Sequence, residues 1–228
     1  MGVDSGLPDF RGNEGFWRAY PPFKNLGLSF IDLANPAWFN DDPELAWGEM
    51  VRGGAWVFTS NVDGAFQRAG FDPDRIVECH GAIDFLQCTR ACRLGIVPAD
   101  HYEPNVDETT FRARPPLPRC GVCGALTRPN ILMFGDYGWD DTRTSAQEKR
   151  LSSWLGSVGR GDKKLVVIEC GAGSAVPTVR MTSERTVMRR EAVLIRVNLR
   201  EPQVPAGHIG IAEGALHALG EIDRRLGA

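Results

Sequence analysis

No stretch of this sequence approaches the roughly 18 consecutive apolar residues that a membrane-spanning helix needs, so neither a bilayer span nor a membrane partner is expected. No basic region followed by an apolar one stands at its start, and no signal peptide is expected. Excess positive charge is also lacking. The formal net charge is −3 and the pI lies near 5.8, which argues against direct nucleic acid binding through bulk electrostatics. Internal repeats and low-complexity tracts are absent, which sets aside repeat arrays. What remains has the balance of a globular domain, with 43% hydrophobic and 24% charged residues. A length of 228 residues fits one large domain or a domain with a sizeable insertion.

Against those absences stand six cysteines. Four form two close doublets, Cys88 with Cys92 and Cys120 with Cys123, spaced C-x3-C and C-x2-C. Tetrahedral zinc takes four thiolates, and each doublet can supply two from one turn. Gly121 and Gly124 let the second turn curl so that both sulfurs face one ion. Without a secretory signal, metal ligation is the expected use of these thiols and the cytoplasm the expected compartment, two disulfides being the alternative.

The order of elements predicts an α/β fold. Ala55–Thr59, Ile76–Cys79, Asn130–Phe134, Lys164–Glu169 and Ala192–Val197 read as short buried strands. Asp42 and Pro43 open a short helix that Gly53-Gly54 ends, within a helical segment around residues 13–52. A further helix is expected from about Gly64 to Ala69. Ser145 and Glu148 form a capping box for another that reaches Val158. Ile211, Ala215, Leu219, Ile222 and Leu226 share one face of a terminal helix. Apolar strands alternating with helices indicate a Rossmann-like parallel sheet with helices on both faces. Residues 84–128 hold both cysteine doublets and the cluster Pro115-Pro116-Leu117-Pro118, with little periodicity. That block reads as a small zinc-binding lobe inserted between residues 1–83 and 129–228, the metal replacing a core it cannot build.

Most of the polar clusters fall where strands end, the edge at which open α/β sheets bind ligands. Gly171-Ala172-Gly173-Ser174 follows a buried strand, so its backbone can approach phosphate or ribose oxygens, although such a G-x-G by itself is more often a plain tight turn. Asn198 ends the next strand, as a ribose contact or a simple cap. His80 stands at a strand end, where an imidazole can act as a base near neutral pH. Asn61 and Asp63 can present an amide and a carboxylate to one pocket, or merely close a turn. Asp9, Phe10 and Arg11 place an acid, an aromatic face and a cation on one loop. His101, His208 and His217 have less context.

Taken in order, these segments resemble the sirtuin family of NAD-dependent protein deacylases. The resemblance runs through Gly6-Leu7-Pro8-Asp9-Phe10-Arg11-Gly12, Thr59-Ser60-Asn61-Val62-Asp63 and Glu78-Cys79-His80-Gly81. It continues through the cysteine doublets, Arg128-Pro129, Phe134-Gly135-Asp136, Gly171–Ser174 and Asn198, and it is closest to a bacterial branch with the same C-x3-C doublet. It implies a Rossmann-like domain with a zinc lobe and NAD between them. Nicotinamide would leave the ribose, the acyl oxygen of an acylated lysine would attack the exposed carbon, and His80 would then take a proton from a ribose hydroxyl. Asn61 and Asp63 would surround the nicotinamide and its ribose, while Asp9, Phe10 and Arg11 would cover the cofactor. Gly171, Gly173, Ser174 and Asn198 would complete the NAD site. Phe134 and Gly135 would bind an acylated-lysine protein or peptide as an added strand.

The family pattern includes a first strand and a Gly-Ala-Gly phosphate turn ahead of the position of Met1, and this sequence contains neither. It also carries an additional helical segment between Trp47 and Trp56, where this chain is short. Ser60 stands where glutamine is usual. Two alternatives to a deacylase therefore stay open. One is a shortened, catalytically weak or inactive sirtuin-like zinc/NAD-binding protein; the other is an NAD hydrolase or ADP-ribosyltransferase.

Overall fold

The computed structural model describes residues 55–99, 102–107, 109–158 and 165–226. Asp9, Phe10, Arg11, His101 and the helical segment expected around 13–52 lie outside the described residues. The described chain divides into two compact units, Trp56–Trp154 and the residues from Leu155 onward.

In the first unit, β1 (Val57–Thr59) pairs in parallel with β2 (Ile76–Glu78), Thr59 opposite Glu78. They are joined through the short helix α1 (Ala65–Arg68) and a 3-10 turn, Pro73–Arg75, in which the Asp72 carboxylate accepts from the amide of Asp74. Ile76 and Val77 are fully buried, as the continuous apolar run predicts for a parallel strand. A second sheet of this unit is antiparallel. Its central strand β3 (Gly81–Cys88) lies between β4 (Ile96–Pro98) and β7 (Thr127–Ile131). The two-residue strands β5 (Val106–Asp107) and β6 (Arg112–Ala113) form a separate ribbon. The block read as aperiodic thus holds much of an antiparallel sheet. A register shift between Ala82 and Leu86 breaks the alternation that would have revealed β3. β3 and β7 also run across residues 83–84 and 128–129, where the lobe was expected to begin and end.

β7 stops at Ile131, short of the expected Phe134. Gly135 turns the chain at φ 69°, the amide of Asp136 donates to the carbonyl of Met133, and Phe134 is left exposed. The next helix, α2 (Thr142–Ser157), starts earlier than the Ser145 box predicts. The Asp140 carboxylate accepts from the amide and hydroxyl of Thr142, and the Asp141 carbonyl takes the first helical bond, from Ser145. Trp154 on α2 stacks on Trp56 with centroids 5.6 Å apart.

The second unit is built on a parallel sheet in the order β10-β9-β8, comprising β8 (Leu165–Cys170), β9 (Ala192–Val197) and β10 (Ile209–Ile211). Helix α3 (Thr178–Arg189) connects β8 to β9 and packs against both, making a βαβ unit. Ile211 belongs to β10 rather than to the terminal helix α4 (Ala215–Leu226), because it continues the parallel register opposite Val197. Beneath this sheet's surface the Arg196 guanidinium, 1% exposed, is held by Glu169 directly across the strands, by Glu184 of α3 at 2.9 Å and by the carbonyl of Gln203. Buried ions survive only when paired in this way.

Candidate functional site

Three chain segments converge at the carboxyl ends of β1 and β2. The amide of Cys79 donates to the Thr59 carbonyl (2.9 Å), joining the residues just past the two strands. The amide of Ile83 donates to the Val62 carbonyl (2.8 Å), and that of Leu132 to the His80 carbonyl (2.9 Å). The loop carrying Asn61 and Asp63, the turn carrying His80, and the segment leading to Phe134 are therefore tied together by backbone bonds. Gly81 makes this possible. It has φ +76°, and a Cβ there would lie 1.9 Å from the carbonyl oxygen of Asn130.

His80 is half-buried. Its neighbour Cys79 is buried, and desolvation pushes that thiol up to about 12, so it is a neutral wall rather than a nucleophile. Asn61 and Asp63 are both exposed. The Asp63 carboxylate accepts the amide of Ala65 (3.0 Å), the first residue of α1, while the Asn61 backbone amide donates to the Thr59 hydroxyl. Behind the turn, the Asn130 side chain, fully buried, donates to Gln87 and to the carbonyl of Asp140, both at 2.8 Å. Phe134 and Gly135 sit on an exposed loop, with Met133 half exposed and Phe134 almost fully so. Arg128 fastens that loop, donating to Asp136 at 2.6 Å and to the Ile131 carbonyl at 3.2 Å. Burial alone would raise the Asp136 carboxyl, but the Arg128 bond and charge outweigh it and hold the group below the usual range.

In the second unit the turn after β8 is built from the expected residues. Gly171 adopts φ 67°, and its amide donates to the Val197 carbonyl. Asn198 joins this turn to the next. Its Nδ2 donates to the Ala172 carbonyl (2.9 Å), and its Oδ1 accepts the amides of Arg200 and Glu201. Sequence reasoning missed Glu201, whose signal was only its place three residues after Asn198. Its carboxylate, beside Gly173, accepts the amide of Ser174 (2.7 Å) and the Ser174 hydroxyl (2.9 Å), with the Arg180 guanidinium 3.3 Å from it. The Ser174 bonds, with Arg180, lower its pKa. A turn lined by acceptors in this way is chemically suited to groups that donate hydrogen bonds.

The four cysteines come together as their spacing predicts. The four sulfurs lie within 4.8 Å of one another, Cys88 and Cys123 at 3.5 Å and Cys92 and Cys120 at 3.4 Å. Zn–S bonds of about 2.3 Å give tetrahedral edges of about 3.8 Å, so the quartet fits zinc. The amides of Arg90 and Val122 point at the sulfurs of Cys88 and Cys120, as donors to thiolates would. Burial would raise the Cys120 thiol, but the amides of Cys123 and Val122 draw it down to about 6.

Polar turns at the carboxyl ends of parallel strands, a histidine among them, and a thiol quartet are the parts of an α/β ligand-binding domain with a metal-stapled module. Comparison with known proteins makes this specific. The Sir2 family model matches residues 45–159, half of the chain. The NAD-dependent protein deacylase 1 of Archaeoglobus fulgidus is 27% identical over 252 residues, covering 99% of this chain and 89% of that protein. NAD-dependent protein deacylase 2 of Pseudomonas syringae pv. tomato is 30% identical over 158 residues, 59% of this chain and 58% of its own length. Among solved structures, an ADP-ribose complex of a mutant Sir2 homologue superposes with TM-score 0.55 at 25% identity, covering 99% of this chain and 87% of that one. This chain belongs to the Sir2 family.

Proposed function

We propose that this chain is an NAD-dependent protein-lysine deacylase (deacetylase), in which His80 moves the proton that completes acyl transfer to ADP-ribose. One observation carries the reading: the backbone bonds that tie the Asn61–Asp63 loop, the His80 turn and the Leu132–Gly135 segment into one place. NAD, when bound, supplies a ribose carbon made reactive by departure of nicotinamide. The residues of the chain do the rest. Asn61 and Asp63 present an amide and a carboxylate toward the nicotinamide ribose, at the mouth of the strands that position His80. His80, half-buried on a turn fixed by Gly81, takes a proton from a ribose hydroxyl at its ring nitrogen. Gly171, Gly173, Ser174 and Asn198, with Glu201, hold the far ribose, and Asp9, Phe10 and Arg11 cover the cofactor and exclude water. Phe134 and Gly135 offer an exposed apolar edge along which an acylated-lysine peptide adds as a strand. The zinc site is closed by four thiolates, has no open position and serves as scaffold. In addition to the quartet, Cys79 and Cys170 are free thiols, which supports a reducing, cytoplasmic setting. No helix among the described residues is long and apolar enough to cross a membrane.

The test is nicotinamide release from NAD with and without an acetyl-lysine peptide, in the wild type and in His80→Ala. Sustained, multiple-turnover release that requires both the peptide and His80 is expected, the variant giving at most a single turnover because nicotinamide leaves before the His80 step. Peptide-independent release would make the protein an NAD hydrolase instead, and no release with NAD bound would leave it an inactive relative.

A further inference from the structure

The turn that carries His80 is flanked by β2 and β3, and one side chain from outside those strands touches both. Arg143, on the first turn of α2, donates through Nη2 to Oε2 of Glu78, the last residue of β2, whose side chain is 1% exposed. Its guanidinium lies over the ring of Phe85 on β3, 4.0 Å from the centroid. The other terminal nitrogen, Nη1, is buried with no hydrogen-bond partner among the described residues, so the plane is held by Glu78 and Phe85. Two more side chains of α2 grip the same strand end. Gln147 accepts the amide of Glu78 at 3.1 Å, and Thr144 donates to its carbonyl at 3.0 Å.

Glu78 is thus bonded at its amide, its carbonyl and its carboxylate by one helix, two residues before His80. From the Arg143 side, the guanidinium spans the chain from two residues before His80 to five residues after it. A buried carboxylate and a half-buried guanidinium are costly to desolvate, and packed apolar residues would serve stability as well or better. What such a pair supplies is a defined geometry.

We propose that Arg143 is a positioning residue for His80: through Glu78 and Phe85 it braces both strands leaving the His80 turn and so sets where the imidazole stands. This rests on His80 being the base of the acyl-transfer step. A guanidinium does both jobs at once, since one edge nitrogen donates to Glu78 while the plane lies flat on Phe85, and a lysine ammonium has no plane to stack. Misplacement of a catalytic group by about 1 Å can cost on the order of 100-fold in rate, so the effect should be large without any loss of fold.

The test uses Arg143→Lys, which keeps the charge and loses the plane, and Phe85→Leu, which keeps the ion pair and loses the stacking. Two reactions are followed in each, deacylation of an acetyl-lysine peptide and exchange of labelled nicotinamide into NAD. Departure of nicotinamide precedes the proton transfer by His80, so exchange reports the site without that base. In Arg143→Lys, kcat for deacylation should fall about 10–100-fold. Exchange, KM for NAD, zinc content and melting temperature should stay within about twofold or a few degrees of wild type. Phe85→Leu should follow the same split with a smaller loss. Unchanged deacylation in Arg143→Lys, or deacylation and exchange falling together, overturns the proposal. If Arg143→Lys does not fold, Phe85→Leu decides by the same criteria. A His80→Ala variant with full deacylation overturns the functional reading itself, and with it this one. With His80→Ala inactive and Arg143→Lys equal to wild type, only this inference fails.

Discussion

Replacing Gly81 with alanine should damage the protein twice over, and the two costs can be separated. The residue has φ +76°, a left-handed conformation that costs a non-glycine residue about 1–2 kcal/mol. The added Cβ would also stand 1.9 Å from the Asn130 carbonyl oxygen and 2.9 Å from its carbon. Relief requires β3 and β7 to part by more than about 1 Å, because carbon–oxygen contacts settle near 3.3 Å. Forced overpacking of this kind costs about 1–3 kcal/mol. Together these make about 2–5 kcal/mol, a substantial part of the roughly 5–15 kcal/mol that holds an ordinary domain. At this chain length that is a fall in melting temperature of about 4–20 °C. Gly70 is the control. It has φ +85° with nothing within 4 Å of where a Cβ would stand, so Gly70→Ala should lose only the conformational part, about 2–8 °C. The assay is thermal unfolding of both variants, with peptide deacylation measured well below either transition. Because Gly81 adjoins His80 and the Leu132–His80 bond, Gly81→Ala should also lose deacylation, whereas Gly70→Ala should keep it. Equal melting temperatures, with activity intact in both, would refute the claim that close approach of the strands fixes the His80 turn.

Cys120→Ser should lose zinc and thermal stability together, since a structural site contributes folding energy directly, and metal analysis alongside a melting curve checks both. Arg196→Met should destabilise by about 3–5 kcal/mol by leaving Glu169 buried and unpaired, and the double variant Arg196→Met/Glu169→Leu should recover much of the loss. Asp136 has a folded-state pKa below its unfolded value, so its stabilising effect is present above the ordinary carboxylate pKa and is lost as pH falls through the folded one. Wild type should therefore exceed Asp136→Asn in stability at pH 7, with the gap closing below about pH 4, as pH-dependent unfolding would show.

Much of this was legible in the chain because the relevant signals are local. The cysteine spacing, the apolar runs at Ile76–Glu78 and Ala192–Val197, and the polar residues that end them each depend on a few neighbours. What escaped depends on partners far along the chain. Helix α3 buries Ser183 and Val187 rather than an apolar stripe, so no periodicity announces it. Strand β10 is three residues long and is defined by its parallel register with Ile195–Val197. The antiparallel sheet around the thiol quartet is masked by its register shift and by Pro129, which stands opposite Leu86. Glu201 gains its role from Ser174, 27 positions away, and Arg143 from Glu78, 65 positions away. The extent of β7 was overread because Leu132-Met133-Phe134 is apolar, whereas the structure leaves those side chains exposed beside the His80 turn.

The central claim is that the acyl group passes from a lysine to ADP-ribose under the action of His80. It is tested most directly with a peptide whose lysine carries an isotopically labelled acetyl group, incubated with NAD and the protein and followed by mass spectrometry. The label should appear on ADP-ribose, in proportion to the nicotinamide released, and His80→Ala should form none. Label found only as free acetate from the outset, or ADP-ribose formed at the same rate without peptide, would contradict it.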